Sequence, residues 1–375
     1  VQSSGLSIPK EDQGSATAVP RLGLWAWRML MQARRGRLEP CPFPKAAPLD
    51  MPPVSPFVLA TASPGASWAG MHSVLHPRGE DAARIAEIGW VLYVGAGLIF
   101  LAASIMLGLA MYGPEKARGM LRRPALIVLA GVAFPVAVLT ALLAYALQSA
   151  AAKTRGAEVA LRIEVAGELW WWRVRYRDET GDLLFETAND IRIPVGVPVE
   201  ILLTSSNVIH SFWVPSLAGK LDMVPGRTNR LRMLAREPGV FSGLCAEYCG
   251  AQHAKMQFDV QALDPEQFRA WLAAQRLPAN EAGAELRAGA GVFLRDCAQC
   301  HTVRGTAAAG TLGPDLTHVA SRPRLAAGAL PNNAGALAGW VAGSQHIKPG
   351  NLMPAFGHLS GDELRAVTGY LGSLK

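Results

Sequence analysis

The sequence has little cysteine, few aromatic residues and no internal repeat. Its five cysteines, at positions 41, 245, 249, 297 and 300 of a 375-residue chain, are too sparse for the disulfide framework of a small secreted domain. Aromatic residues make up 7% of the chain although half of it is hydrophobic, and its mean hydropathy is positive. That combination is unusual for a soluble protein and points to a membrane-embedded portion carrying soluble regions. The formal charge is +7, but the basic residues are scattered rather than gathered into a stripe, which argues against nucleic acid as a partner. The length predicts two or three folded units.

Residues 1–75 are rich in Pro, Ala, Ser and Arg and show no period. They are expected to be disordered or leader-like, with Pro56–Ala60 a candidate end of a signal peptide. Cys41 stands alone among prolines, not after an apolar run as a lipid-modified cysteine would. Residues 76–152 are expected to form a transmembrane helical hairpin. Ile88–Met111 and Pro124–Leu147 each supply the roughly twenty uncharged residues that cross a bilayer core. A pair of buried soluble helices is the alternative, but helices of that length without a polar face are rare in globular proteins. Between them, Lys116, Arg118, Arg122 and Arg123 outweigh Glu115. The positive-inside rule puts this loop in the cytoplasm and everything after Lys153 on the periplasmic or outer face.

Residues 153–275 change to a period of two, in Val159–Val165, Trp170–Tyr176 and Val199–Leu203, with turn residues between the runs; a β-sandwich is expected. A further strand-like stretch ends at His210. A short helix over Pro265–Ala274 leads into a linker, Gln275–Ala282. Residues 283–375 read as helical with long loops, and the last helix opens on a capping box, Ser360-Gly361-Asp362-Glu363.

Two motifs carry chemistry. The first is Cys245-Ala246-Glu247-Tyr248-Cys249, followed by His253 and Met256, with His210 upstream. Thiolate, imidazole and thioether together select copper. Two thiolates serve one trigonal copper poorly, but they can bridge two ions. A Cys245–Cys249 disulfide and a zinc site are the alternatives, though zinc has no use for Met256.

This stretch resembles the dinuclear CuA signature of cytochrome c oxidase subunit II. The resemblance covers about residues 75–275 and implies a cupredoxin-like Greek-key sandwich. It also implies that Cys245 and Cys249 bridge the coppers, that His210 and His253 are terminal ligands, and that Met256 and the Glu247 carbonyl complete the site. The Glu247 side chain would also reach a magnesium or manganese ion at the contact with subunit I. Gly167–Tyr176 resembles the aromatic strand beside CuA, with Trp170 where the family takes in electrons; plain packing is the alternative for Trp170. Adjacent tryptophans alternate sides of a strand, so at least one of Trp170, Trp171 and Trp172 is expected at a surface or interface. Gly219–Arg227 resembles the segment near the subunit I contact. Arg122-Arg123-Pro124 departs from relatives that place a glutamate at the mouth of a proton path, so that role is not carried over.

The second motif is Cys297-Ala298-Gln299-Cys300-His301, a C-x-x-C-H haem-attachment sequence. His301 would be the proximal ligand and Met353, in Asn351-Leu352-Met353-Pro354, the distal one, a pairing that raises haem potential. His346 in place of Met353, and a redox dithiol at 297 and 300, are the alternatives. Leu312–Leu316 resembles the loop that packs over the haem in class I cytochromes c, which implies an all-α domain; Phe293 and Tyr370 are read as core packing, and His318 as a surface residue.

The whole therefore resembles subunit II of a caa-type oxidase. That implies the electron-input subunit of a proton-pumping terminal oxidase in a bacterial plasma membrane. Electrons would pass from a cytochrome c or another respiratory donor to its own haem c, to CuA, and on to a haem in subunit I. Subunit III is a further implied partner. The chain lacks an intramembrane histidine cluster, so oxygen chemistry belongs to the partner. A CuA-containing nitric oxide reductase and a freestanding membrane-anchored carrier stay open as alternatives.

Overall fold

The computed structural model describes residues 73–154, 159 and 161–375; Cys41 and, save for 73–75, the leader-like segment lie outside them. Two long helical rods come first. Helix α1 spans Glu80–Tyr112, and a short α2, Glu115–Leu121, occupies the basic loop. The second rod joins α3 (Pro124–Val128), a π turn (Leu129–Ala133) and α4 (Phe134–Thr154). Pro135 explains the π turn: it has no N–H to give, and its ring would collide with the carbonyl four residues back, so the preceding turn widens.

None of the most apolar stretch of either rod is buried, and both are long enough to cross a bilayer, which suits a membrane anchor. At 1.5 Å per residue α1 is about 50 Å long, against a hydrocarbon core of about 30 Å. Its surplus lies at the N-terminal end, where it meets the next region. Arg78 N and Gly79 N both donate to Ser216 O (2.7 and 3.0 Å), and Gly219 N donates to Asp81 Oδ2 (3.2 Å).

That next region is a β-sandwich. Its strands are β1 (Leu161–Glu168), β2 (Trp171–Arg177), β3 (Leu183–Ala188), β4 (Asp190–Pro194) and β5 (Val199–Ser205), then β6 (His210–Trp213), β7 (Leu221–Met223), β8 (Asn229–Met233), β9 (Gly239–Cys245) and β10 (Gln257–Leu263). One sheet has the order β3-β2-β1-β5-β8 and the other β4-β10-β9-β6-β7, so the chain repeatedly crosses between layers, a Greek-key pattern. Alternate residues of β1, Ile163 and Val165, point into a core shared with Trp172, Tyr176, Phe185, Ile191 and Ile201. Phe212 and Phe258 stack at 4.5 Å, and Trp172 meets Phe258 edge-on at 4.9 Å. The Tyr176 hydroxyl clips the sheets together, donating to Arg192 O (2.8 Å) and accepting from Arg192 N (2.7 Å).

Two boundaries differ from expectation. Trp170 precedes β2 and sits in the turn after β1, so the strand carries two of the three tryptophans. His210 opens a strand rather than ending one, because Ser205 and Asn207 bond the main chain around Asn207–Val208 and turn it first.

Helix α5 (Pro265–Arg276) covers Tyr176 and Phe185 with Trp271. The C-terminal region contains α6 (Arg287–Asp296), α7 (Ala334–Ile347) and α8 (Gly361–Ser373). It also contains a small ladder, β11 (Arg324–Leu325) with β12 (Leu330–Pro331), that a purely helical reading does not anticipate. Phe293 of α6 and Tyr370 of α8 meet at 5.6 Å in its core, and the Ser360–Glu363 capping box is formed. His318 is not a surface residue. It is 8% exposed, with Nδ1 on Lys375 O (2.8 Å) and Nε2 on Leu277 O (3.1 Å).

Candidate functional site

The sandwich gathers its first motif at one end of the second sheet. His210 begins β6, Cys245 ends β9, and the loop back to β10 carries Cys249, His253 and Met256. The donor atoms of His210, Cys245 and Cys249 lie within 4.8 Å of one another, and all three residues are buried. The two sulfurs are 3.8 Å apart, nearly twice a disulfide bond of about 2.05 Å, and both thiols are free. His210 Nδ1 lies 3.9 Å from Cys245 Sγ, and His253 Nδ1 lies 3.6 Å from Cys249 Sγ. Met256 Sδ is 3.8 Å from Cys249 Sγ, and Glu247 O is 3.2 Å from Cys245 Sγ. A thiol pair is thus flanked on each side by an imidazole and a weaker donor. These soft donors fit copper, and two central sulfurs fit two ions better than one.

The contact between the two sulfurs lowers one thiol, Cys245, and raises the other, Cys249; a cation bound to both would displace their protons. His210 is fixed from behind: Nε2 bonds Asn207 Oδ1 (3.0 Å), and the Trp172 ring stands 6.3 Å away. Gly167 of β1 lies directly against the His210 ring, 2.6 Å from Cδ2 to where a Cβ would sit. The Glu247 carboxylate is half-exposed and lies 3.9 Å from Lys220 Nζ.

The second motif closes α6. Cys297 and Cys300 are half-buried and free. His301 Nδ1–H donates to Pro314 O (2.8 Å), which fixes the tautomer and leaves Nε2 as the lone-pair nitrogen. Burial lowers the His301 pKa, which favours the neutral imidazole. Gly313 packs where a Cβ would lie 2.5 Å from His301 Cε1, a cradle that only glycine permits. The Met353 loop is pinned through its main chain: Ser344 Oγ and Gln345 Nε2 donate to Met353 O (2.8 and 2.7 Å), and Met353 N donates to Asn351 Oδ1 (2.8 Å). Paired thiols, a pre-set neutral imidazole and a fixed methionine loop fit a covalent haem c. His346, by contrast, is exposed.

Trp170 touches both the first motif's loop and the segment just before Met353. It is 9% exposed, its indole N–H donates to Cys249 O (2.8 Å), and its ring edge faces Gly350, where a Cβ would lie 3.5 Å from Cη2. Lys348, which the motifs give no reason to single out, is 2% exposed. Its Nζ donates to Trp170 O, Lys255 O and Ala326 O (2.6, 2.7 and 3.1 Å). Burial, with Lys255 beside it, lowers Lys348 to about 7. Arg173 was equally silent in the sequence; it donates to Glu168 and Glu186 on the sandwich and to Thr311 O and Leu312 O on the helical region.

Comparison with known proteins returns the two resemblances that the motifs carry. Residues 176–263 match the family of the cytochrome c oxidase subunit II periplasmic domain, and residues 286–375 match the cytochrome c family. Cytochrome c oxidase subunit 2 of Alkalihalophilus pseudofirmus is 41% identical over 215 residues, 57% of this chain and 61% of the relative. The subunit 2 proteins of Bacillus sp. strain PS3 and Bacillus subtilis are each 32% identical, over 57% and 60% of this chain and 62% and 65% of theirs. The chain thus spans somewhat over three fifths of the length of these relatives. Among solved structures, the periplasmic domain of subunit II of a Bradyrhizobium japonicum cytochrome oxidase is 27% identical, covering 32% of this chain and 96% of that one, with a TM-score of 0.30.

Proposed function

We propose that this chain is the electron-input subunit of a caa-type haem–copper terminal oxidase, anchored by α1 and the α3–α4 rod in a bacterial plasma membrane with both soluble regions on the outer face. The observation that carries the reading is the thiol pair Cys245–Cys249 with an imidazole Nδ1 on each side, in the same chain as a C-x-x-C-H helix end whose histidine is already oriented. When bound, a copper pair and a haem c would supply two one-electron carriers between an external respiratory donor and the haem of subunit I, where oxygen reduction is coupled to proton pumping.

The chain's own residues set the conditions for that transfer. Cys245, Cys249, His210, His253, Met256 and the Glu247 carbonyl would hold the copper pair at one end of the sandwich, where His210, Cys245, Cys249 and Met256 are buried. Asn207 and Trp172 restrict the His210 ring, which would hold it in one orientation as a copper ligand. Cys297 and Cys300 would form the thioethers, with His301 and Met353 as axial ligands. Trp170, bonded to Cys249 O and facing the Met353-side loop, joins the two centres and is assigned as the electron-input residue. The Glu247 carboxylate, turned to the surface near Lys220, is the candidate ligand for magnesium or manganese at the subunit I contact. Subunits I and III are the expected partners.

Purification from native membranes tests this directly. An oxidase subunit should come out with a haem a or haem b protein bound; recovery of the chain alone, loaded with both cofactors, would make it a freestanding carrier.

A further inference from the structure

A tethered carrier region can work in two ways: it can swing on its linker, or it can sit in one place. We propose that Lys348 is a positioning residue that locks the C-terminal helical region onto the sandwich in a single docked arrangement, with the Trp170 turn enclosed between them. The electron-transfer consequence rests on the function proposed above; the docking itself does not.

Three observations carry it. First, Lys348 is buried, and its three hydrogen-bond acceptors come from three separate segments: Trp170 O and Lys255 O on the sandwich, and Ala326 O on the helical region. An ammonium group taken out of water is tolerated only where every N–H finds an acceptor. These acceptors converge only when the two regions are together, so Lys348 acts as a registry device.

Second, the segment that brings Ala326 O to Lys348 is held in an unfavourable backbone conformation. Ala326 and Ala327 have φ of +52° and +56°, values that residues with a Cβ seldom adopt. Ala327 is fully buried, and its carbonyl accepts from Gln257 N of β10 (2.9 Å), a main-chain bond between the regions.

Third, the contacts around Lys348 close a ring. Arg324 grips Asp259 in a two-pronged pair (2.7 and 2.6 Å). Gln252 Nε2 donates to Pro349 O (2.8 Å) and Lys255 Nζ to Ile347 O (2.7 Å). Even the linker is fastened, with Arg304 Nη2 on Gln275 O (2.7 Å) and Ala279 N on Arg304 O (2.8 Å).

Arg173 completes the picture. Its bonds to Thr311 O and Leu312 O tie β2 to the loop that also holds His301, while Lys348 and Gly350 tie the Met353 side to Trp170. The loop that holds His301 and the segment just before Met353 are thereby both fastened to the sandwich. A swinging tether would leave at least one of them free.

The test uses the full chain loaded with copper and haem. The haem is photoreduced, and electron arrival at copper is followed while viscosity and ionic strength are varied; amide hydrogen exchange is read at Gln257, whose N–H bonds Ala327 O across the two regions. In the parent chain the rate should not depend on viscosity or salt. In Lys348→Met, exchange at that amide should speed up at least about tenfold and the rate should fall by a similar factor and become viscosity-dependent. Optical spectrum, copper signal and both midpoint potentials should stay unchanged. A parent rate that falls in proportion to viscosity would overturn the proposal, as would a Lys348→Met chain unchanged in both exchange and rate. If that variant does not fold, the viscosity dependence of the parent decides alone. A chain without either cofactor signal would sink the functional reading instead, and the exchange comparison would still judge the docking.

Discussion

Substituting Gly167 by alanine probes the copper site through a residue that binds nothing. The added Cβ would stand 2.6 Å from Cδ2 and 2.9 Å from Cγ of His210. Carbon atoms rest at about 3.5 Å, so one side must move by roughly 0.9 Å. The strand resists, because β1 is bonded along its length to β2 and β5. The imidazole must therefore give, although Asn207 holds its Nε2. Metal–ligand distances tolerate only about 0.2 Å, so the forced displacement is several times what the site can absorb. The overpacking itself costs about 1–3 kcal/mol, which a sandwich of this size survives. The expected result is a chain that still melts cooperatively and keeps its haem spectrum, but holds less than two coppers and loses the paramagnetic signal shared between two nuclei. Full copper with an unchanged signal would refute the reasoning and remove His210 from the ligand set.

Two further outcomes follow from other residues. Met353→Ala should lower the haem midpoint potential and slow electron input while the copper signal stays as in the parent; an unmoved potential would refute the axial assignment. Burial raises the Asp190 carboxyl above its ordinary 3.8, against the opposing Arg192. The folded chain then holds a proton that the unfolded chain has already released, so this group's contribution is present at low pH and is lost as pH rises through the raised value. Thermal melting of Asp190→Asn should therefore show a flatter profile than the parent as pH rises above about 4, where the unfolded carboxyl has already released its proton, and parallel profiles would contradict it.

What the sequence made legible follows from the range of each signal. The hairpin and both motifs were readable because each is contiguous: an uncharged apolar run, a C-x-x-x-C loop with its trailing histidine and methionine, and a C-x-x-C-H helix end. The period of two located the sandwich, but it could not see the turn that takes Trp170 out of β2. His318 misled for a related reason. A lone histidine in a loop outside either motif reads as exposed, and its burial depends on carbonyls from Leu277 and Lys375, far away in the chain. Lys348 follows the same logic: a lysine after a helix looks like a solvated end, and only the fold brings three carbonyls around it. Gly167 was invisible as a site residue because its contribution is the absence of a side chain where His210 needs room.

The most direct test is metal analysis combined with optical and electron paramagnetic spectra of the full chain, expressed with haem-attachment machinery. The account predicts a c-type haem spectrum, two coppers per chain and one unpaired electron shared between two copper nuclei. A single copper with a one-nucleus signal, or no copper, would contradict the bridging role of Cys245 and Cys249 and with it the electron-input function.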